Sequence, residues 1–181
     1  MSKTFFITGG AASGKTRWAI TYFELFDNVL YLCIDDEIDK DILARIEFDN
    51  KRHGIKWEIE TKVINPAERV TGHKFVILDS LGAYVSRVMN KNCSDFSNMS
   101  EELMHSIERQ VVDEISDLIH AVQEIDGNLI IISIETGFSV CPQDKSQQCF
   151  REILGFVNQR IANMSTEVYM SASGVQFKIK G

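Results

Sequence analysis

The sequence predicts an α/β protein, a mostly parallel β-sheet with helices on both faces, built around a phosphate-binding loop. Three observations predict it. Short apolar runs alternate along the chain with stretches of helical periodicity, the rhythm of successive βαβ units. Two of those runs, FVIL at 75–78 and LIIISI at 129–134, lack polar alternation and therefore read as central strands buried on both faces. The third is Gly9-Gly10-Ala11-Ala12-Ser13-Gly14-Lys15-Thr16, which fits GxxxxGK[ST], follows an apolar strand and opens a helix.

Element by element, a strand over Phe5–Thr8 leads into that loop, and a helix over Lys15–Leu25 leaves it. A strand over Val29–Ile34 and a helix over Glu37–Asn50 follow. Trp57 to Glu60 alternate in polarity like a half-exposed edge strand, a pattern that Pro66 ends. Lys74–Leu78 reads as a strand and Leu81–Met89 as a helix. The longest helix is expected over Ser100–Glu124, where Leu103, Ile107, Val111, Ile115, Leu118 and Val122 recur at spacings of three and four. That stripe suits either core or an oligomer interface, and Ser100 followed by two glutamates makes a plausible N-terminal cap. A strand over Asn128–Ile134, a helix over Ser146–Asn163 and a strand over Thr166–Ser171 come next. A Ser173-Gly174 turn then sets up a terminal hairpin with Val175–Ile179.

With 181 residues, 44% of them hydrophobic, the chain suits one compact nucleotide-binding domain over 1–181. The net charge of −7, without a dense basic run, argues against nucleic acid or anionic lipid as a partner. No stretch approaches the roughly twenty apolar residues of a membrane span, and the first residues run straight into a strand, so a cytoplasmic location is expected. Cys33, Cys93, Cys141 and Cys149 form no CxxC pair and no cluster with histidines, and read as reduced thiols.

The loop from Gly9 to Thr16 carries the chemistry. Its small residues let successive backbone N–H groups converge on phosphates, and the following helix N-terminus adds positive potential. Lys15 would reach the β/γ oxygens of ATP or GTP, and the Thr16 hydroxyl can hold Mg²⁺. Such a site needs a second acidic group near the metal. Asp79, after the apolar run FVIL, stands where that carboxylate belongs, although an Asp in this position also suits a helix cap. Glu135 follows the strand that ends at Ile134, on the edge where open α/β sheets collect ligands, and could orient a substrate hydroxyl.

Three blocks, ITGGAASGKTRW at 7–18, FVILDSLGAYVSRVM at 75–89 and ETGFSVCPQDKSQQCFREILGFVNQRI at 135–161, resemble the adenosylcobinamide kinase/adenosylcobinamide-phosphate guanylyltransferase family of cobalamin biosynthesis, and the similarity continues to the final SGVQFKIK. The resemblance implies a RecA-like P-loop fold, a homotrimer, and two activities on a corrinoid. These are phosphorylation of the aminopropanol hydroxyl of adenosylcobinamide and transfer of GMP onto the resulting phosphate. By the same resemblance Leu32, Cys33, Ile34, Asp79 and the stretch Asp49, Asn50, Lys51 and Arg52 would add nucleotide contacts to those of Gly9–Thr16.

The chain departs from the family in places that bear on chemistry. Aligning Arg45-Ile46 and Trp57 places Phe48 and Asp49 where the family carries the histidine that accepts GMP. The nearest histidine along the chain is His53, either a displaced acceptor or a surface residue. Ala12 and Gln148 stand where arginines are usual, and Ile134 where an asparagine is. The kinase half of the activity is therefore the expectation, with Lys15, Asp79 and Glu135 as its catalytic residues and Thr16 and Asp79 at the metal. The alternative is a nucleotide-binding sensor or assembly subunit of the same fold.

Overall fold

The computed structural model describes residues 2–181. Its frame is one seven-stranded sheet. In chain order the strands are β1 (Lys3–Gly9), β2 (Val29–Cys33), β3 (Glu58–Glu60), β4 (Phe75–Asp79), β5 (Asn128–Ile132), β6 (Glu167–Ala172) and β7 (Val175–Lys180). Across the sheet the order is β3-β2-β4-β5-β1-β6-β7, all parallel except the β6–β7 hairpin. The helices are α1 (Lys15–Phe23), α2 (Lys40–His53), α3 (Leu81–Asn92), α4 (Glu101–Glu124) and α5 (Lys145–Met164). This is the expected mostly parallel sheet with helices on both faces, with β5 inserted between the strand that feeds the phosphate loop and the strand that ends in Asp79.

The runs without alternation are central because both their faces are covered. In β5, Ile130 and Ile132 pack with Phe5, Ile7, Ile20 and Phe23 under α1 and α2, while Leu129 and Ile131 pack with α3, α4 and α5 on the other face. The α4 stripe is core: Ile107, Val111, Ile115, Leu118 and Val122 are all buried against the sheet side, with Leu103 partly so. Stripping a buried Leu or Ile of its apolar contacts costs about 2–5 kcal/mol, so this face anchors the layer.

Local chemistry sets the helix ends. Ser100 Oγ accepts from Leu103 N at 3.2 Å as expected, and Asp144 caps α5 through Gln147 N at 2.9 Å. The second helix lies about three residues later than expected. In the acidic run DDEID several residues could cap, and it is Asp39 that accepts from Asp41 N and Ile42 N, while Gly54 closes the helix in the left-handed conformation. The edge strand β3 pairs only with β2, and Pro66 opens a short 3₁₀ turn. The terminal hairpin turns through Ser173 and Gly174, both at positive φ (50° and 80°), the geometry of a type I′ turn. Lys180 then caps the C-terminus of α5 by donating to the carbonyls of Ala162, Asn163 and Ser165.

All four cysteines are free thiols, Cys33 and Cys149 buried. Among the described residues no helix is long and apolar enough to cross a membrane.

Candidate functional site

The phosphate loop sits at the carboxyl edge of the sheet between β1 and α1, and its shape depends on two glycines. At Gly9 the backbone has φ +154° and a Cβ would lie 2.2 Å from the Ser171 carbonyl oxygen. At Gly14, with φ +96°, a Cβ would lie 3.2 Å from Gly174 Cα. Only glycine lets the loop come this close to the hairpin behind it. The hairpin in turn holds the loop, because Ser13 O accepts from Ser171 Oγ at 2.7 Å and from Gly174 N at 2.9 Å.

Lys15 is 7% exposed and folds back over the loop, donating to Gly9 O (2.9 Å), Gly10 O (2.6 Å) and Ser13 Oγ (3.3 Å). Burial pulls its amine below the usual lysine range, with the Asp79 carboxylate opposing that pull. Thr16 Oγ1 donates to Asp79 Oδ2 at 3.3 Å, and the Tyr31 hydroxyl donates to the same oxygen. Burial raises the Asp79 carboxyl above its ordinary value, partly offset by the hydrogen bonds from Tyr31 and Thr16. Tyr31, from β2, is itself buried beside that carboxylate and so held in its neutral, donating form.

The alternative reading of Asp79 as a cap does not apply. β4 extends one residue beyond the expected Leu78, Asp79 is its last residue, and Ser80 caps α3 by accepting from Ala83 N at 3.3 Å. The carboxylate is thereby free to face the loop.

Ala12 to Arg17, with Asp39, Ile42 and Asp79, enclose a cavity of about 520 Å³. Lys15, Thr16 and Asp79 are thus together. Of the other expected nucleotide contacts, Cys33 and Ile34 lie beside Asp79: Cys33 is its partner in the β2–β4 register, and Ile34 N donates to Asp79 O at 2.9 Å. The side chain of Leu32 is fully buried in the core under α3–α5, Cys33 and Ile34 are buried at the end of β2, and Asp49 is buried against Arg45 at 2.5 Å. Asp49, Asn50, Lys51 and Arg52 fall in the last turns of α2, roughly 10–15 Å along the helix from Ile42 at a rise of 1.5 Å per residue. Phe48 projects from the same helix at 61% exposure.

Glu135 borders a second cavity, of about 470 Å³, shared with Gln148, Arg151, Glu152, Phe156 and Gln159 of α5. It is tied to the first: Glu135 N donates to Gly9 O at 3.0 Å, and its Oε1 accepts from Gly137 N at 2.6 Å. Asn158 braces this edge from α5, accepting from Ser133 Oγ at 2.7 Å and donating to Ile134 O at 3.0 Å. β4 and β5 are parallel neighbours, so Asp79 and Glu135 share an edge of the sheet while lining separate cavities.

Sequence reasoning missed Tyr31, Asp39 and Ser171. Their residue types carry no signal, because each reaches the loop through strand order or helix placement. For Ser171, replacement by Ala is expected to weaken nucleotide binding about threefold to tenfold, the usual net worth of one hydrogen bond, with Ser171→Thr restoring it. Equilibrium titration with ATP beside a thermal melt separates the cases. Lower melting temperature with unchanged affinity would assign Ser171 to folding alone.

Comparisons with known proteins give the family of the chain. The model of the cobinamide kinase / cobinamide phosphate guanyltransferase family matches residues 5–179. The bifunctional adenosylcobalamin biosynthesis protein CobU of Escherichia coli (strain K12) is 29% identical over 96% of this chain and 98% of its own length. The protein of the same name from Salmonella typhimurium is 28% identical with the same coverage. Among solved structures, a KaiC-like protein from Pyrococcus horikoshii OT3 aligns over 93% of this chain and 70% of its own, at 15% identity and a TM-score of 0.49.

Proposed function

Since the chain belongs to the cobinamide kinase / cobinamide phosphate guanyltransferase family, we propose that it transfers the γ-phosphoryl group of ATP or GTP to the aminopropanol hydroxyl of adenosylcobinamide and has lost guanylyl transfer through a histidine on α2. The observation that carries this reading is the meeting of Lys15, Thr16 and Asp79 in one cavity, beside a second cavity bordered by Glu135.

Phosphoryl transfer asks mainly for positioning and charge neutralisation. The loop N–H groups from Gly10 to Thr16 and the N-terminus of α1 bind the phosphates, and Lys15 exchanges its loop carbonyls for β/γ oxygens. The Thr16 hydroxyl and the Asp79 carboxylate are hard oxygen donors 3.3 Å apart, a set that fits Mg²⁺ held with few protein ligands and the substrate phosphates. When bound, Mg²⁺ neutralises charge on the β/γ oxygens. Tyr31 orients Asp79. Glu135, in the second cavity, orients the acceptor hydroxyl and takes its proton as the oxygen forms the new P–O bond and the bond to the β-phosphate breaks, releasing the nucleoside diphosphate.

Guanylyl transfer requires a nucleophile that forms a bond to GMP. Phe48 has none, and the Asp49 carboxylate is engaged with Arg45. His53 ends α2, more than two turns beyond the lining residue Ile42. These substitutions, with Ala12 and Gln148 in place of arginines, favour a second reading, a nucleotide-binding sensor or assembly subunit.

One assay separates them. Purified protein incubated with adenosylcobinamide, Mg²⁺ and labelled ATP or GTP is expected to yield adenosylcobinamide phosphate, with no acid-labile GMP left on the protein. Nucleotide binding without phosphorylated product would establish the sensor reading. A GMP adduct at His53 would show that the acceptor has moved along α2.

A further inference from the structure

The cavity beside the phosphate loop contains a cation that the fold leaves half used. Arg151, on the second turn of α5, donates through Nη2 to Gly137 O at 2.8 Å, while Nη1 is buried without a partner among the described residues. A guanidinium carries five N–H donors in a planar fork, and a buried donor without an acceptor is destabilising. The Gly137 carbonyl is neutral, so it matches one donor and leaves the charge unmatched. Arg151 is also the sole cation among the residues lining this cavity of about 470 Å³. Glu135, at the same cavity, has Oε1 engaged by Gly137 N and does not pair with it. Through Glu135 N and Gly9 O, 3.0 Å apart, the cavity adjoins the loop from which a phosphoryl group would leave.

We propose that Arg151 is the anion-binding residue of the acceptor cavity and holds the phosphate monoester once it is on the acceptor. A monoester presents two or three equivalent oxygens, which a guanidinium fork can take in the paired geometry that a single carbonyl cannot supply. Lys15 would serve the donor's phosphates on one side and Arg151 the acceptor's on the other. The unphosphorylated acceptor offers Arg151 no anion, so the residue discriminates between the two forms of one ligand. This assignment rests on the corrinoid kinase reading and adds to it the group that receives the transferred phosphate.

The test is equilibrium dialysis of cobinamide and of cobinamide phosphate, without nucleotide, against the wild-type protein, Arg151→Gln, Arg151→Lys and Lys15→Ala. Wild-type protein is expected to bind the phosphorylated form at least about tenfold more tightly, the range of one charge-assisted hydrogen bond. That ratio should fall to near one in Arg151→Gln, take an intermediate value in Arg151→Lys, which keeps charge without the fork, and survive in Lys15→Ala. Should the Gln variant fail to fold, the ratio in Arg151→Lys decides. A ratio unchanged in the Arg151 variants overturns the proposal while leaving the corrinoid reading intact. A ratio lost only in Lys15→Ala overturns it as well, since the phosphate then sits in the P-loop. If neither corrinoid binds the wild-type protein, the kinase reading and this inference fall together.

Discussion

Lys15→Ala is expected to weaken binding of ATP and GTP by about a hundredfold or more while leaving the melting temperature nearly unchanged. The amine can make two charge-assisted hydrogen bonds to β/γ oxygens, each worth about 1.5–3 kcal/mol, against 1.4 kcal/mol for a factor of ten in affinity. Without nucleotide the same amine is satisfied by Gly9 O, Gly10 O and Ser13 Oγ, and Gly10 is exposed, so water can take over part of that role in the variant. The fold therefore loses little where the ligand loses its main cation. Calorimetric titration with both nucleotides, next to thermal melts of the free proteins, measures the two effects separately. Unchanged affinity in a variant that melts like wild type would remove the phosphate-loop assignment.

Asp79→Asn is expected to cut turnover by about a hundredfold to a thousandfold, the usual loss on removing one well-placed electrostatic group, and to raise the Mg²⁺ concentration needed for activity. Nucleotide binding without metal should barely change. The stability effect should run the other way. Burial raises the Asp79 carboxyl above its ordinary value, which means that its charge opposes folding at neutral pH when no cation is bound. Asparagine keeps the size and an oxygen that can accept from Tyr31 or Thr16. The free variant should then melt no lower than wild type, a trade of stability against activity that marks a functional carboxylate. A variant with wild-type turnover and Mg²⁺ dependence would make Asp79 structural, and a sharp drop in melting temperature would make it a fold determinant.

Much of the frame was legible in the residues. FVIL and LIIISI contain no polar alternation because both faces of β4 and β5 are covered, and the α4 stripe follows the turn of the helix it forms. Such features depend on neighbours two to four residues away, and so a pass along the chain finds them. Boundaries were less legible where capping was ambiguous. In DDEID any of several acids could begin α2, and the decision fell to Asp39, which reaches Asp41 N and Ile42 N. At Asp79 and Ser80 two adjacent residues could each cap α3; the serine does, and this releases the aspartate to the cleft.

The phosphate loop, the central strands, the helical faces and the terminal hairpin can all be read from residue order, because each is a local pattern with a local physical cause. That order also carries the family, through motifs spread along nearly the whole chain. The surroundings of the loop depend instead on how distant segments pack. Thr16 meets Asp79 across 63 residues, Tyr31 meets the same carboxylate across 48, and Ser171 supports Ser13 across 158. Those contacts follow from the order of strands in the sheet, which places β5 between β1 and β4 and sets β6 against β1. Strand order arises from the joint packing of all the βαβ units, so no local period encodes it. The half-used fork of Arg151 has the same origin. Its residue type is plain in the sequence, while its missing partner exists only once α5 and the turn at Gly137 are docked together.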